Sequence, residues 1–240
     1  MAMFEHGDVR IHFEEQGDGF PILLIAPGGM RSTIAAWSAA PWDVIADLAT
    51  HYRVIIMDQR NAGQSRAPIT AQDSWDTYTA DQLALMDHLE IDRFHVAGMC
   101  IGGPYIIGLI KNAPDRVVSA VMFQPIGLDD NKAAFYAMFD NWADALKPKL
   151  PEVPADAWSS FRSNMYDGDF LFNATREEVA RVTTPLLVLK GDDLYHPAST
   201  SLEIADLAPN ATLIEDWKQG PGMASARTQV LEFLSAAGRG

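Results

Sequence analysis

Only one cysteine, Cys100, occurs in the 240 residues, so an intramolecular disulfide framework is excluded. A lone thiol stays reactive in a reducing compartment, and Met1-Ala2-Met3-Phe4-Glu5-His6 has no basic stretch leading into an apolar one, so a cytoplasmic location is expected. No apolar run reaches the length of a membrane-spanning helix, and no membrane partner is expected. Positive charge is scarce: 18 Lys and Arg stand against 32 Asp and Glu, a formal charge of −14. That field repels polyanions and argues against nucleic acid as a partner, leaving a neutral small molecule as the expected one. Histidine is sparse too, with six residues and none after His196.

What the chain does have is enough apolar sequence, 48%, to bury one large core. Continuous apolar runs at residues 21–25, 52–57, 94–99, 117–123 and 185–190 read as strands covered on both faces. Helical periodicity separates them, over 37–51 and 77–89, through Ile106, Ile107, Leu109 and Ile110, through Leu202, Ile204, Ala205 and Leu207 and, after a last strand at 211–217, to about residue 234. Strands alternating with helices predict an α/β fold with a mostly parallel central sheet, because each parallel connection needs a crossover. Residues 9–15 and the turn Gly17-Asp18-Gly19 predict an opening β-hairpin. From 127 to 183 the pattern turns helical and aromatic, interrupted by Pro148, Pro151 and Pro154, which predicts a short helical cap inserted into a core of 1–126 and 184–240.

The most specific stretch is Gly98-Met99-Cys100-Ile101-Gly102-Gly103, where an apolar strand turns sharply into a helix. It has the GxCxG form of a nucleophile elbow, in which small flanking residues allow a strained turn to lift one reactive side chain above the sheet. A thiol there faces the unpaired amides of a helix N-terminus, which favour the thiolate. The plainer alternative is a buried structural cysteine.

On these residues the sequence resembles the α/β-hydrolase superfamily, with Cys in place of the usual Ser, as in dienelactone hydrolases. The loop Asp58-Gln59-Arg60-Asn61-Ala62-Gly63-Gln64-Ser65 is similar to that superfamily's DxRGxGxS loop, with Asn61 where glycine is usual, and such a loop braces the fold beside the site. The resemblance also implies a lid at the position of the cap. It implies an acid after the strand at 185–190, best matched by Asp193, with Pro197 four residues on, and otherwise by Asp192. An oxyanion hole would use the Ile101 amide and one from the loop after residue 25. Pro27 has no N–H, so Gly28 is the candidate, with Gly29 next, and a glycine turn without any catalytic role is the alternative.

The sequence departs from the superfamily at the base. The usual histidine lies after the last strand, and residues 218–223 contain none. His6, His12, His51, His88 and His95 fall in the hairpin, on helices or at a strand start. His196 alone sits on a loop at the carboxyl edge of the sheet, where ligands of open α/β folds bind. Three readings stand side by side: His196 is a relocated base for Cys100, the thiolate needs no base, or hydrolysis is lost and a binding pocket remains. The resemblance therefore implies a hydrolase or acyl-transfer enzyme, an esterase or lactonase acting on a small, mostly apolar substrate through a Cys100 thioester. A non-catalytic ligand-binding member is the alternative. No metal or organic cofactor is indicated, and homo-oligomerisation is left open.

Overall fold

The computed structural model describes residues 2–238, so Met1 and residues 239–240 at the ends of the expected core lie outside the described residues. The chain opens with a hairpin of β1 (Ala2–His6) and β2 (Val9–Gln16), which turns at Gly7 with φ +57°. This corrects the expected hairpin across residues 17–19. β2 pairs instead with β4 (Tyr52–Met57), antiparallel, and β3 (Phe20–Ile25) lies beyond β4. Only Phe4 of β1 is buried, so that strand carries no apolar alternation from which to read it.

From β3 onward every pairing is parallel. β5 (Phe94–Met99), β6 (Val117–Phe123), β7 (Leu186–Leu189) and β8 (Ala211–Ile214) complete an eight-stranded sheet of order β1-β2-β4-β3-β5-β6-β7-β8. Successive side chains point to opposite faces, and two cores form accordingly. Leu23, Ile25, Val96 and Met122 share one core with α2 (Trp75–His88) and α3 (Gly102–Asn112). Ile22, Leu24, Ala97 and Val121 share the other with α1 (Val44–Ala49) and α8 (Gly220–Ala237). The fold is thus the expected mostly parallel sheet with helices on both faces.

Two helices differ from their predicted spans. Residues 37–51 are not one helix: a 3₁₀ segment, Ile34–Ala39, stops before Pro41, and α1 starts afresh after Asp43, whose carboxylate accepts the Ala46 amide at 3.0 Å. Proline biases the residue before it away from helix, and Ala40 is extended at φ −68°, ψ 150°. β8 ends at Ile214 instead of residue 217, and α8 begins at Gly220, so the connection after the last strand is short.

Between β6 and β7 run α4 (Lys132–Leu146), α5 (Ala155–Tyr166) and the short α6 (Arg176–Val179). Most aromatic side chains of this segment pack on one another; the rings of Phe139 and Phe161 are 5.2 Å apart and those of Trp142 and Trp158 6.0 Å. α7 (Ala198–Leu207) joins β7 to β8. Among the described residues no helix is long and apolar enough to cross a membrane.

Candidate active site

Cys100 stands at the turn between β5 and α3 with φ +63°, a left-handed conformation that costs a non-glycine residue energy and persists only where the surroundings enforce it. They do so here. The Cys100 amide donates to the Phe123 carbonyl at 3.0 Å, and the Cys100 carbonyl accepts from the Gly103 and Ile126 amides, both at 3.1 Å. The turn closes because Gly98 and Gly102 lack side chains: a Cβ on Gly98 would lie 2.9 Å from the Gly102 Cα. The Cys100 side chain is partly exposed and packs against both cores.

The loop after β3 comes to the same place. Gly28 and Gly29 have φ of +117° and +57°, and a Cβ on Gly29 would meet the Met138 sulfur at 2.4 Å. Gly28, Gly29, Cys100 and Ile101 line one cavity of about 140 Å³ together with Ile126, Phe135, Met138, Tyr195 and His196. The Ile101 amide precedes the first turn of α3, where amides have no carbonyl partner within the helix.

His196 reaches this cavity from the loop after β7. Its Nδ1 lies 2.8 Å from each carboxylate oxygen of Asp193. A carboxylate only accepts, so Nδ1 carries the proton and donates, leaving the Nε2 lone pair free. Nε2 is buried and makes no hydrogen bond within the chain. Burial works to lower the pKa of the imidazole, yet it is held above its ordinary value, first by Cys100 and then by Asp193. Cys100 is thus close enough to act on the ring, although no hydrogen bond joins the two among the described residues. Burial works to raise the Asp193 carboxyl, and its contacts with His196 and with the amides of His196 and Tyr195 bring it below its ordinary value.

The other candidates fall elsewhere. Asp192 pairs with Lys218. His12 is buried against Asp58, and His95 is buried in β5, where Nδ1 contacts the Ser119 hydroxyl at 2.8 Å and burial pushes its pKa down to about 4. The stretch 218–223 is mostly the first turn of α8, and the indole of Trp217 just before it donates to the Lys190 carbonyl at 2.8 Å. The 58–65 loop braces the site: Asp58 accepts from the Ile34 and Gln64 amides at 2.8 and 2.9 Å, and Arg60 donates to Asp81 and Asp73. Sequence reasoning did not single out Ile126 or Tyr195 as cavity residues, nor Gly191, where a Cβ would sit 2.3 Å from the His196 carbonyl oxygen. The glycine directly after the β7 strand was the available signal for that close return of the loop. A larger cleft of about 870 Å³ beside Trp142 and Arg66 contains none of the three candidate catalytic side chains.

Comparison with known proteins agrees with this architecture. Residues 21–169 match the family described as the alpha/beta hydrolase fold. A Pseudomonas syringae pv. syringae protein named "Putative carbamate hydrolase RutD" is 26% identical over 245 aligned positions, covering 89% of this chain and 91% of that one. A 2-hydroxy-6-oxononadienedioate/2-hydroxy-6-oxononatrienedioate hydrolase 1 of Dechloromonas aromatica is 23% identical, covering 95% and 91%. The enol-lactonase structure from Burkholderia xenovorans LB400 superposes with a TM-score of 0.70 at 20% identity, over 98% of this chain and all of that one. The sheet, the elbow-bearing β5–α3 turn and the family match over more than half the residues lead to one conclusion: the chain belongs to the alpha/beta hydrolase fold family.

Proposed function

We propose that this protein is a hydrolase of small, mostly apolar esters or lactones that works through a thioester on Cys100. The observation that carries this reading is the convergence of Cys100 and the free Nε2 of His196 on one cavity, with Nδ1 of the same ring held by Asp193. The hydrolase names of the relatives support the reaction class. Residues 127–183 act as the cap that closes the cavity, through Phe135 and Met138.

In the first half-reaction the sulfur bonds to the substrate's carbonyl carbon and its proton passes to His196 Nε2. Negative charge develops on the carbonyl oxygen, where the amides of Ile101 and Gly28 donate. Collapse of this intermediate breaks the bond to the leaving alkoxide, which takes the proton from His196. In the second half, His196 accepts a proton from water as the hydroxide adds to the thioester; collapse breaks the C–S bond, the carboxylic acid is released, and His196 returns its proton to the Cys100 sulfur. Asp193 fixes the tautomer that keeps Nε2 unprotonated at the start and stabilises the imidazolium that follows.

The test is a panel of short-chain aryl esters with mass spectrometry of the protein during turnover. The expected result is release of phenol, an acyl adduct on Cys100, and a fall of about 10³-fold or more in kcat for Cys100→Ala. Turnover by the variant equal to that of the parent ends the thioester mechanism. A second reading, a ligand-binding member without turnover, is favoured by the absence of histidine after β8. It predicts ligand binding with neither phenol release nor adduct.

A further inference from the structure

Beside the elbow, three tyrosines are buried with nothing to bond to. Tyr78, Tyr105 and Tyr166 are 1%, 0% and 0% exposed, and the hydroxyl of each lacks a hydrogen-bond partner among the described residues. Such groups are normally satisfied, so three in one neighbourhood call for a reason. They are neighbours: the rings of Tyr78 and Tyr105 stack at 5.1 Å, and Trp75 lies 5.1 Å from Tyr105 and 6.0 Å from Tyr166. Trp75 cannot serve them, because its indole N–H donates to the Met165 carbonyl at 2.6 Å. Tyr166 lies behind the cavity wall, stacked at 5.4 Å on Phe135, which lines the cavity holding Cys100.

Burial raises the pKa of all three phenols, so they remain neutral O–H groups. Cys100 adds to the rise at Tyr166, which places that phenol within reach of the sulfur's charge. Behind Tyr78, the Arg60 guanidinium lies 5.8 Å from the ring and is bound by both Asp81 and Asp73. One cation against two carboxylates leaves this end of the site negative. A carboxylate guest would be repelled, while a neutral oxygen, with two free lone pairs, can accept from two of the donors.

Resting on the hydrolase reading above, we infer that Tyr78, Tyr105 and Tyr166 form a specificity subsite that receives a neutral oxygen, a ketone or ether, carried on the acyl chain of the substrate beyond the scissile carbonyl. The preferred substrate class is then oxo- or alkoxy-acyl esters and lactones, above plain alkanoyl ones and above those ending in a carboxylate.

The test compares p-nitrophenyl 4-oxopentanoate and 5-oxohexanoate with the pentanoate and hexanoate esters of the same length, in the parent, in Tyr166→Phe and in the triple Tyr→Phe variant. An expected preference of about tenfold or more, read as the ratio of kcat/KM for an oxo ester to that for the alkyl ester of the same length in the same protein, falls in the single variant and disappears in the triple. Each Tyr→Phe change removes only an unpaired hydroxyl, so the thermal midpoint stays level or rises. Equal rates for oxo and alkyl esters in the parent, or a preference that survives the triple variant, overturn the subsite. If no ester is cleaved, the hydrolase reading fails separately, and calorimetry decides the subsite. Tighter binding of 4-oxopentanamide than of pentanamide, lost in the triple variant, supports it, and equal binding overturns it.

Discussion

The turn after β5 and the loop after β7 bring Cys100 and His196 to the cavity by opposite means. At the first, Cys100 is fixed by groups far apart in sequence: the Phe123 carbonyl, the Ile126 amide, and both hydrophobic cores. The second is almost self-contained. Asp193 accepts from the Tyr195 amide at 2.9 Å, the His196 amide at 3.1 Å and the His196 ring, and its own amide donates to the His196 carbonyl at 3.2 Å. Contacts from outside seat the loop without touching the pair: the Gly191 amide donates to the Ser201 hydroxyl at 3.0 Å, the Leu194 carbonyl accepts from the Asn131 side chain at 2.8 Å, and Asp192 pairs with Lys218. The strained Cys100 therefore needs the whole fold, whereas Asp193 and His196, three residues apart, need a glycine and a tight turn. A pair of that kind can arise without rewriting the sheet, which gives a physical route to the base proposed at His196.

The sharpest way to break this comparison is to remove the local pair while leaving the elbow intact. His196→Ala is expected to lower kcat for an aryl ester by about 10²- to 10⁴-fold, with the fold retained because the hydrogen bonds of the ring go to Asp193 of its own loop. Unchanged turnover would leave Cys100 working alone. Asp193→Asn should cost less in rate but show its role in pH dependence. Asp193 helps to hold the His196 pKa up, so the acid limb of kcat/KM should lie above pH ~6.5 in the parent and move to lower pH in the variant. The sign for stability follows from the same shift. A pKa raised on folding adds stability that is complete below pH ~6.5 and is lost as pH rises through the folded value. The denaturation midpoints of the parent and His196→Ala should therefore differ most at pH 5–6 and converge in alkali; divergence in alkali would contradict the assignment.

The elbow should respond in stability first. A Cβ added at Gly98 would stand 2.9 and 3.1 Å from backbone atoms of Gly102, which cannot step aside as a side chain can. Gly98→Ala is expected to cost about 1–3 kcal/mol, about 2–4 °C of melting temperature for each kcal/mol. A variant as stable as the parent would show that the close strand-to-helix turn is not what holds Cys100 at φ +63°.

The same contrast explains what could be read in advance. The elbow was legible because its requirements are local in sequence, two small residues flanking a reactive one, although the forces that hold it are long-range. The sheet was legible because strands buried on both faces leave unbroken apolar runs. β1 was not, with a single buried side chain. The break at Pro41 was written in the chain, but the apolar spacing on either side of it outweighed the proline. Asp193 could be named from the spacing that the resemblance implies and His196 from its position on a carboxyl-edge loop, while their approach to one another depends on Gly191 yielding space to the His196 backbone. The tyrosine cluster was hidden for another reason: its members come from α2, α3 and α5, and no spacing in one helix reveals a meeting of three.

A third loop at this edge of the sheet sharpens the comparison with the smallest expected effect. Asn61 occupies the position where glycine is usual in the superfamily, and its φ of +57° shows why glycine is favoured there. Asparagine tolerates the left-handed region and repays part of the strain, since its Oδ1 accepts the Ala67 amide at 2.9 Å. Its Nδ2 is buried without a partner. Asn61→Gly relieves the backbone and removes the orphaned amide group while losing one hydrogen bond, so the net change should stay within about 1 kcal/mol. Asn61→Ala keeps the strain and loses the hydrogen bond, and should cost about 1–2 kcal/mol. Urea midpoints that rank glycine above alanine, with ester turnover unaltered in both, would mark 58–65 as a brace whose demands are conformational. Equal midpoints would mean that the hydrogen bond to Ala67, and not the left-handed backbone, is what selects the residue.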